Sequence, residues 1–230
     1  MPRPVNSMTR EGLSSGMQSH ANVSDHSAHS MEWWKRPFRL WVDGVGAYLV
    51  CCGERVRLGG QANQDESAEI SWLADLSRIQ GTFIRSGEWY LLEPAGSAPV
   101  TLDGNPVWQT VVLPESCLLT FGNVMVSVSR PSPLSRTARL VGQSGHRLRQ
   151  PADAVLLMDQ TCLLGSGPDS HIICRDWEES VLLFVRGQEL WCKSRGEIAI
   201  NQQMIPQGGA LKPGDLVSGR DFSFRVESPG

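Results

Sequence analysis

From Phe38 onward, apolar and polar residues alternate in short runs broken by turn residues. Phe38-Arg39-Leu40-Trp41-Val42 alternates, Asp43-Gly44 turns, and Ala47-Tyr48-Leu49-Val50-Cys51 starts a second run. Further turn signals fall at Gly53-Glu54, Ser86-Gly87, Asp103-Gly104, Gly122-Asn123, Arg186-Gly187, Gly208-Gly209 and Pro213-Gly214. No stretch of helix length keeps an apolar i, i+3, i+4, i+7 pattern free of Gly and Pro. The pattern predicts an all-β chain of short strands, built as two β-sandwiches. The boundary between them is placed at Arg130-Pro131-Ser132-Pro133-Leu134-Ser135, because two prolines cannot donate to a strand ladder and favour an extended spacer.

One stretch carries candidate binding chemistry. In Asp75-Leu76-Ser77-Arg78-Ile79-Gln80-Gly81, a hydroxyl and a guanidinium sit side by side at the mouth of a strand. Arg offers phosphate oxygens a planar fork of donors, and Ser adds a short one. The segments that follow are Trp89-Tyr90-Leu91-Leu92, then Val100 through Val107 with Asp103-Gly104-Asn105, and later Leu118 through Val126. This order resembles the forkhead-associated (FHA) domain, with its Gly-Arg turn, Ser-Arg-x-His turn, Asn-Gly hairpin and late Gly-Asp turn. Here Gly59-Gly60 stands at the Gly-Arg turn, Gln80 replaces the His, and Asp103-Gly104 takes the place of the second Asn-Gly. Pro99-Val100 occupies the first Asn-Gly position.

The same order recurs in the C-terminal half. Cys162-Leu163-Leu164-Gly165-Ser166 parallels Val56-Arg57-Leu58-Gly59-Gly60, and His171-Ile172-Ile173 parallels Glu69-Ile70-Ser71. Glu189-Leu190-Trp191-Cys192 is matched to Glu88-Trp89-Tyr90-Leu91, and Ile198-Ala199-Ile200-Asn201 to Thr101-Leu102-Asp103. The chain thus resembles tandem FHA domains, at 37–132 and 137–228, preceded by a disordered arm at 1–36. A length of 230 residues suits two domains of about 100 residues each.

The resemblance implies a protein-interaction module binding phosphothreonine-containing peptides through the first copy. Ser77 would contact phosphate, with Arg78, Gly59, Gly60, Gln80, Asp103, Gly104 and Asn105 completing the phosphopeptide-binding set. Gly60 lacks the family's guanidinium, so affinity is expected to be weakened, with Arg57 or Arg85 as candidate substitutes. The second copy carries Ser166 and Glu178-Glu179 at the phosphate positions and is expected to repel a dianion. The alternative is a phosphate-independent docking scaffold. In either case the partner is a protein, phosphorylated or unmodified, and neither cofactor nor metal is required.

Composition narrows the classes. A net charge of −3 without a Lys/Arg cluster argues against nucleic acid, and no apolar run approaches the ~18 residues of a membrane span. No apolar stretch follows Arg3 and Arg10, so a cytoplasmic chain is expected. The first thirty residues are rich in Ser and lack an apolar period, and His20, His26 and His29 there read as solvated rather than metal-binding. The six cysteines form no Cys-x-x-Cys pair and read as buried thiols, with His171, Cys174 and Cys192 the nearest approach to a ligand set. Trp72, Trp89, Trp177 and Trp191 are expected to anchor the cores or the contact between halves. No nucleophile elbow, paired-His motif or P-loop is present, so the chain is not expected to be an enzyme.

Overall fold

The computed structural model describes residues 32–61, 68–96 and 99–228. Residues 1–31, with most of the expected arm and its three histidines, lie outside the described residues. Residues 32–36, also assigned to the arm, are ordered. Trp33–Lys35 makes one 3-10 turn, Trp34 is buried, and its indole Nε1 donates to Gln188 O at 3.0 Å. Burying that indole folds the end of an otherwise polar segment.

Otherwise the described residues form only strands and their connections, and no helix is long and apolar enough to cross a membrane. The first eleven strands are β1 (Phe38–Val42), β2 (Gly46–Cys51), β3 (Arg55–Gly59), β4 (Ile70–Ser71), β5 (Gly81–Ser86), β6 (Trp89–Pro94), β7 (Val100–Leu102), β8 (Asn105–Pro106), β9 (Val111–Val112), β10 (Ser116–Phe121) and β11 (Val124–Ser129). The next eleven are β12 (Ala138–Gly142), β13 (Ala154–Leu157), β14 (Thr161–Gly165), β15 (Ile172–Ile173), β16 (Val181–Arg186), β17 (Glu189–Ser194), β18 (Ile198–Ile200), β19 (Gln203–Met204), β20 (Gly209–Ala210), β21 (Leu216–Gly219) and β22 (Ser223–Glu227).

Strand order shows an internal repeat of eleven. One five-stranded sheet runs β4-β3-β5-β6-β9 and the other β15-β14-β16-β17-β20, the same order shifted by eleven. A twelve-stranded sheet, β19-β18-β21-β22-β1-β2-β13-β12-β11-β10-β7-β8, serves both halves, and the same shift reads it backwards. At its centre β2 and β13 run parallel, with Tyr48 opposite Ala154 and Cys51 opposite Leu157. Next to them β1 pairs with β22, and β12 pairs with β11. Each half therefore receives its terminal hairpin from the other: β12 and β13 complete the first sandwich, and β1 and β2 complete the second.

Side-chain alternation explains how one sheet serves two cores. Leu49, Cys51, Val155 and Leu157 join the core built on β3 to β11, whereas Tyr48, Val50, Ala154 and Leu156 join the core built on β14 to β22. Successive residues point to opposite faces, so the two five-stranded sheets cover opposite sides of the shared one. That is why β2 and β13 are buried along almost their whole length, as strands covered on both faces are.

The segment 130–137, which contains the spacer expected at 130–135, joins two strands that pair directly. Ser135 Oγ and Thr137 Oγ1 donate to Thr161 O at 3.2 and 2.6 Å. Below it, Asp159 accepts from Arg136 at 2.7 Å and pairs with Arg85 at 3.1 Å, while Arg85 donates to Met158 O and Tyr90 Oη to Leu157 O. These bonds tie β5 and β6 of the first half to the end of β13.

Two of the four expected tryptophan anchors are in the cores: Trp72 in the first, and Trp177 in the second with its ring 5.1 Å from Phe222. Trp89 is half exposed beneath the Arg130 guanidinium, and Trp191 lies on an outer face beside Phe184. The hairpin registers explain the difference. Ser86 pairs with Trp89 and Arg186 with Glu189, so Trp89 corresponds to Glu189 and Leu91 to Trp191, one residue off the sequence match. A one-residue slip exchanges inward and outward positions.

The exchange of hairpins predicts that a 32–132 fragment does not form a stable monomer. Light scattering should find it unfolded, or paired with a second copy that supplies the missing strands. A folded monomer with the full strand signal by circular dichroism would refute the exchange.

Candidate functional site

The segment 72–80 between β4 and β5 forms one rim of the first sandwich, and the backbone of Gly59-Gly60 lies against it. Gly60 N donates to Ser77 O at 2.9 Å, Gln80 N donates to Leu58 O at 2.7 Å, and Trp72 N donates to Gly59 O at 2.9 Å. A Cβ on Gly59 would lie 1.9 Å from Arg78 O, and one on Gly60 would lie 2.5 Å from Leu76 O. Both glycines thus answer a close backbone approach, and no side chain fits at either position.

Gln80 stands where the family motif has His, and it is 2% exposed. Its Oε1 accepts from Ser77 N at 3.1 Å and its Nε2 donates to Pro99 O at 3.4 Å. Pro99 O also accepts from Gly122 N at 3.3 Å, linking the rim to the turn between β10 and β11. With its backbone fixed on both sides, the loop leaves the Ser77 and Arg78 side chains exposed to solvent.

The structure therefore brings together Gly59, Gly60, Ser77, Arg78 and Gln80, with Gln80 as the buried brace beneath the loop. It does not bring Asp103, Gly104 and Asn105 to them. Asp103 N donates to Leu118 O and its Oδ1 accepts from Leu118 N, both at 2.8 Å, whereas Pro99 bonds Gly122. Four residues along an extended strand is roughly 13 Å, and the Asp103 turn points away from the rim. Asp103 has φ of 50°, as does Asn201, which likewise exchanges bonds with Leu216 in the second half. Both residues serve the same tight hairpin and its attachment to the next strand, because short polar side chains tolerate this backbone conformation.

The two substitute guanidiniums considered for Gly60 are engaged elsewhere. Arg57 donates through Nε and Nη2 to the Glu69 carboxylate at 3.1 and 2.8 Å, and Arg85 is held by Asp159 and Met158 O.

The equivalent loop of the second half is shorter, 174–180, and differently held. Trp177 is buried against Phe222, Glu178 N donates to the Asp221 carboxylate, and Glu179 accepts from Ser194 Oγ at 2.9 Å. Glu178 and Glu179 thus stand in the loop equivalent to the one that carries Ser77 and Arg78, with the Asp221 carboxylate bonded to it.

Glu69 and His171 hold matching positions before β4 and β15 and have the same task. Glu69 Oε2 accepts from Arg57 N at 2.8 Å, and His171 Nδ1 accepts from Leu163 N at 2.9 Å. Burial opposes ionisation of Glu69, but the bonds from Arg57 outweigh it and hold its carboxyl below the usual value. For His171, burial lowers the pKa to about 4.

Burial likewise pushes the thiols of Cys52, Cys174 and Cys192 up to about 12 and that of Cys117 to about 11. His171 Nδ1 and Cys174 Sγ already have backbone partners, and no cluster of metal-ligating side chains occurs among the described residues.

No known protein family and no curated protein matches the chain. Among solved structures it is similar to the N-terminal FHA domain from EssC, a component of the bacterial Type VII secretion apparatus. That likeness has 8% identity over 84% of this chain and 93% of the other, with a TM-score of 0.22.

Gln80→Ala should lower stability by roughly 1–3 kcal/mol, because Ser77 N–H and Pro99 C=O lose a buried partner; urea unfolding measures this. His171 binds a proton more readily in the unfolded chain, where its pKa is about 6.5. Stability should therefore be full above pH ~6.5, fall as pH drops towards 4, and level off below. Urea midpoints at pH 7 and 4.5 should show a smaller drop in His171→Gln than in the parent chain, and an equal drop would remove His171 as a cause.

Proposed function

We propose that the chain is a protein-interaction module of forkhead-associated type, made of halves 37–132 and 137–228 that exchange hairpins, and that the rim of the first half receives a phosphothreonine-containing segment. The observation supporting this reading is the braced loop. Gln80 and Gly60 fix the backbone on either side of Ser77 and turn a hydroxyl and a guanidinium outward at neighbouring positions. A ligand phosphate then meets donors whose ordering cost falls on the fold rather than on binding.

Affinity is reduced relative to a rim with a second guanidinium. Arg57 and Arg85 are engaged by carboxylates, and Gly60 contributes only backbone. One missing charge-assisted contact corresponds to about 1.5–3 kcal/mol, a weakening of roughly 10- to 100-fold. That same engagement favours the second reading, a docking surface indifferent to phosphate. The second half is read as a non-phosphate surface, because Glu178, Glu179 and Asp221 crowd its loop.

The module is read as non-enzymatic and cytoplasmic. Its buried thiols stay protonated at neutral pH, and all six are unpaired, as in a reducing compartment.

Titration of the full chain with a degenerate phosphothreonine peptide library tests the reading by fluorescence anisotropy. Saturable binding should fall at least about tenfold with Ser77→Ala and with dephosphorylation. Equal binding of phosphorylated and unphosphorylated libraries would replace it by the docking surface.

A further inference from the structure

The two exchanged hairpins are equivalent in strand order but differ at their tips. Residues 43–45 turn β1 into β2, whereas 143–153 connect β12 to β13. The longer tip folds back onto the first half. Leu73 N donates to Arg147 O and Arg149 N donates to Ser71 O, both at 2.8 Å, and Trp72 bridges Leu148. The tip thus pairs with chain running on from β4, the edge of its sheet.

Its other side walls a groove of about 650 Å³, closed by Trp41 from β1 and by Trp72 and Leu73. Two features here are left unexplained by folding alone. Trp41 is 49% exposed and Leu73 46% exposed, so two large apolar side chains face water at one place. Trp72 is 4% exposed, and its indole Nε1 has no acceptor among the described residues, although buried indoles normally find one. The carboxylate at the groove, Asp153, is already used: its Oδ2 accepts from Ala47 N at 2.8 Å. The exposed Arg147 lines the same groove and gives it a cationic wall.

We propose that this groove is a docking site for an extended protein segment whose apolar side chains are flanked by carboxylates. Trp41 and Leu73 receive the apolar side chains and Arg147 meets a flanking carboxylate. An apolar surface bordered by a cation selects an apolar sequence with acidic neighbours and disfavours a basic one. The volume is that of a ligand pocket rather than of a packing defect. The groove takes Trp72 and Leu73 from the start of the segment that carries Ser77, but it includes neither Ser77 nor Arg78 and does not depend on them.

A fluorescein-labelled peptide, acetyl-Glu-Leu-Phe-Leu-Glu-Glu-amide, titrated into the full chain tests this by anisotropy. Binding should saturate, weaken at least about tenfold in Trp41→Ala and in Arg147→Glu, weaken similarly when the peptide glutamates become lysines, and stay unchanged in Ser77→Ala. Both altered side chains are exposed, and circular dichroism should confirm that each variant keeps its fold. No saturation up to millimolar peptide, or equal binding by Trp41→Ala and Arg147→Glu, overturns the proposal. So does competition by acetyl-phenylalanine amide as strong as by the peptide, which would mark a pocket for a small aromatic molecule.

Discussion

The parallel pairing of β2 with β13 is the constraint on which the rest of this molecule depends. It joins the two halves through the middle of a sheet, and alternate residues of each strand belong to different cores. Neither core is complete without both strands. A change at Leu49 is felt in the first core and a change at Val50 in the second, although the residues are neighbours. The network around Asp159 reinforces this join at its end: Arg85 and Tyr90 bond to the chain leaving β13, and Arg136 closes over the same carboxylate. An isolated surface ion pair contributes little, but these groups are mostly buried, so removing one would leave an uncompensated charge.

The Ser77 loop stands on that joined frame. Its shape is set by backbone contacts with Gly59-Gly60 and by a buried amide side chain, and none of those contacts uses the Ser77 hydroxyl. The second half keeps the glycine but not the brace. Gly165 packs against Ser180, where a Cβ would meet Oγ at 2.5 Å, and an indole fills the loop. Two loops on equivalent frames therefore offer opposite electrostatics.

The sequence revealed much of this and missed one large feature. Alternation and turn residues were enough for strands, because a half-buried strand writes its period directly into the chain. The repeat was legible in Leu58-Gly59 against Leu164-Gly165, since a glycine forced by close approach recurs wherever the approach does. The exchange of hairpins was not legible. Phe38–Val42 has the pattern of a strand with one buried face, and that pattern is identical whether the covering sheet comes from its own half or the other. The nearly unbroken apolar run in β2 was the available hint, because a strand buried on both faces needs two layers over it. At the site, Ser77 and Arg78 could be read from their chemistry. The inward turn of Gln80 could not, because an amide suits a loop surface and a buried brace equally well.

The outer faces of the two five-stranded sheets show how far equivalent frames have diverged. In the first half, Arg55 on β3 reaches over β5 to pair with Glu93 on β6, and Arg57 pairs with Glu69 beside β4. At matching registers the second half has Thr161, Leu163, Leu182 and Lys193, with Phe184 and Trp191 beside them. The charges of the first face do not stay on that face alone: Glu69 holds the backbone of Arg57 as well as its guanidinium, so the same carboxylate fixes the approach of β4 to β3. His171 holds the backbone of Leu163 in the same way, and because leucine brings no guanidinium to that position a neutral ring serves as the acceptor there.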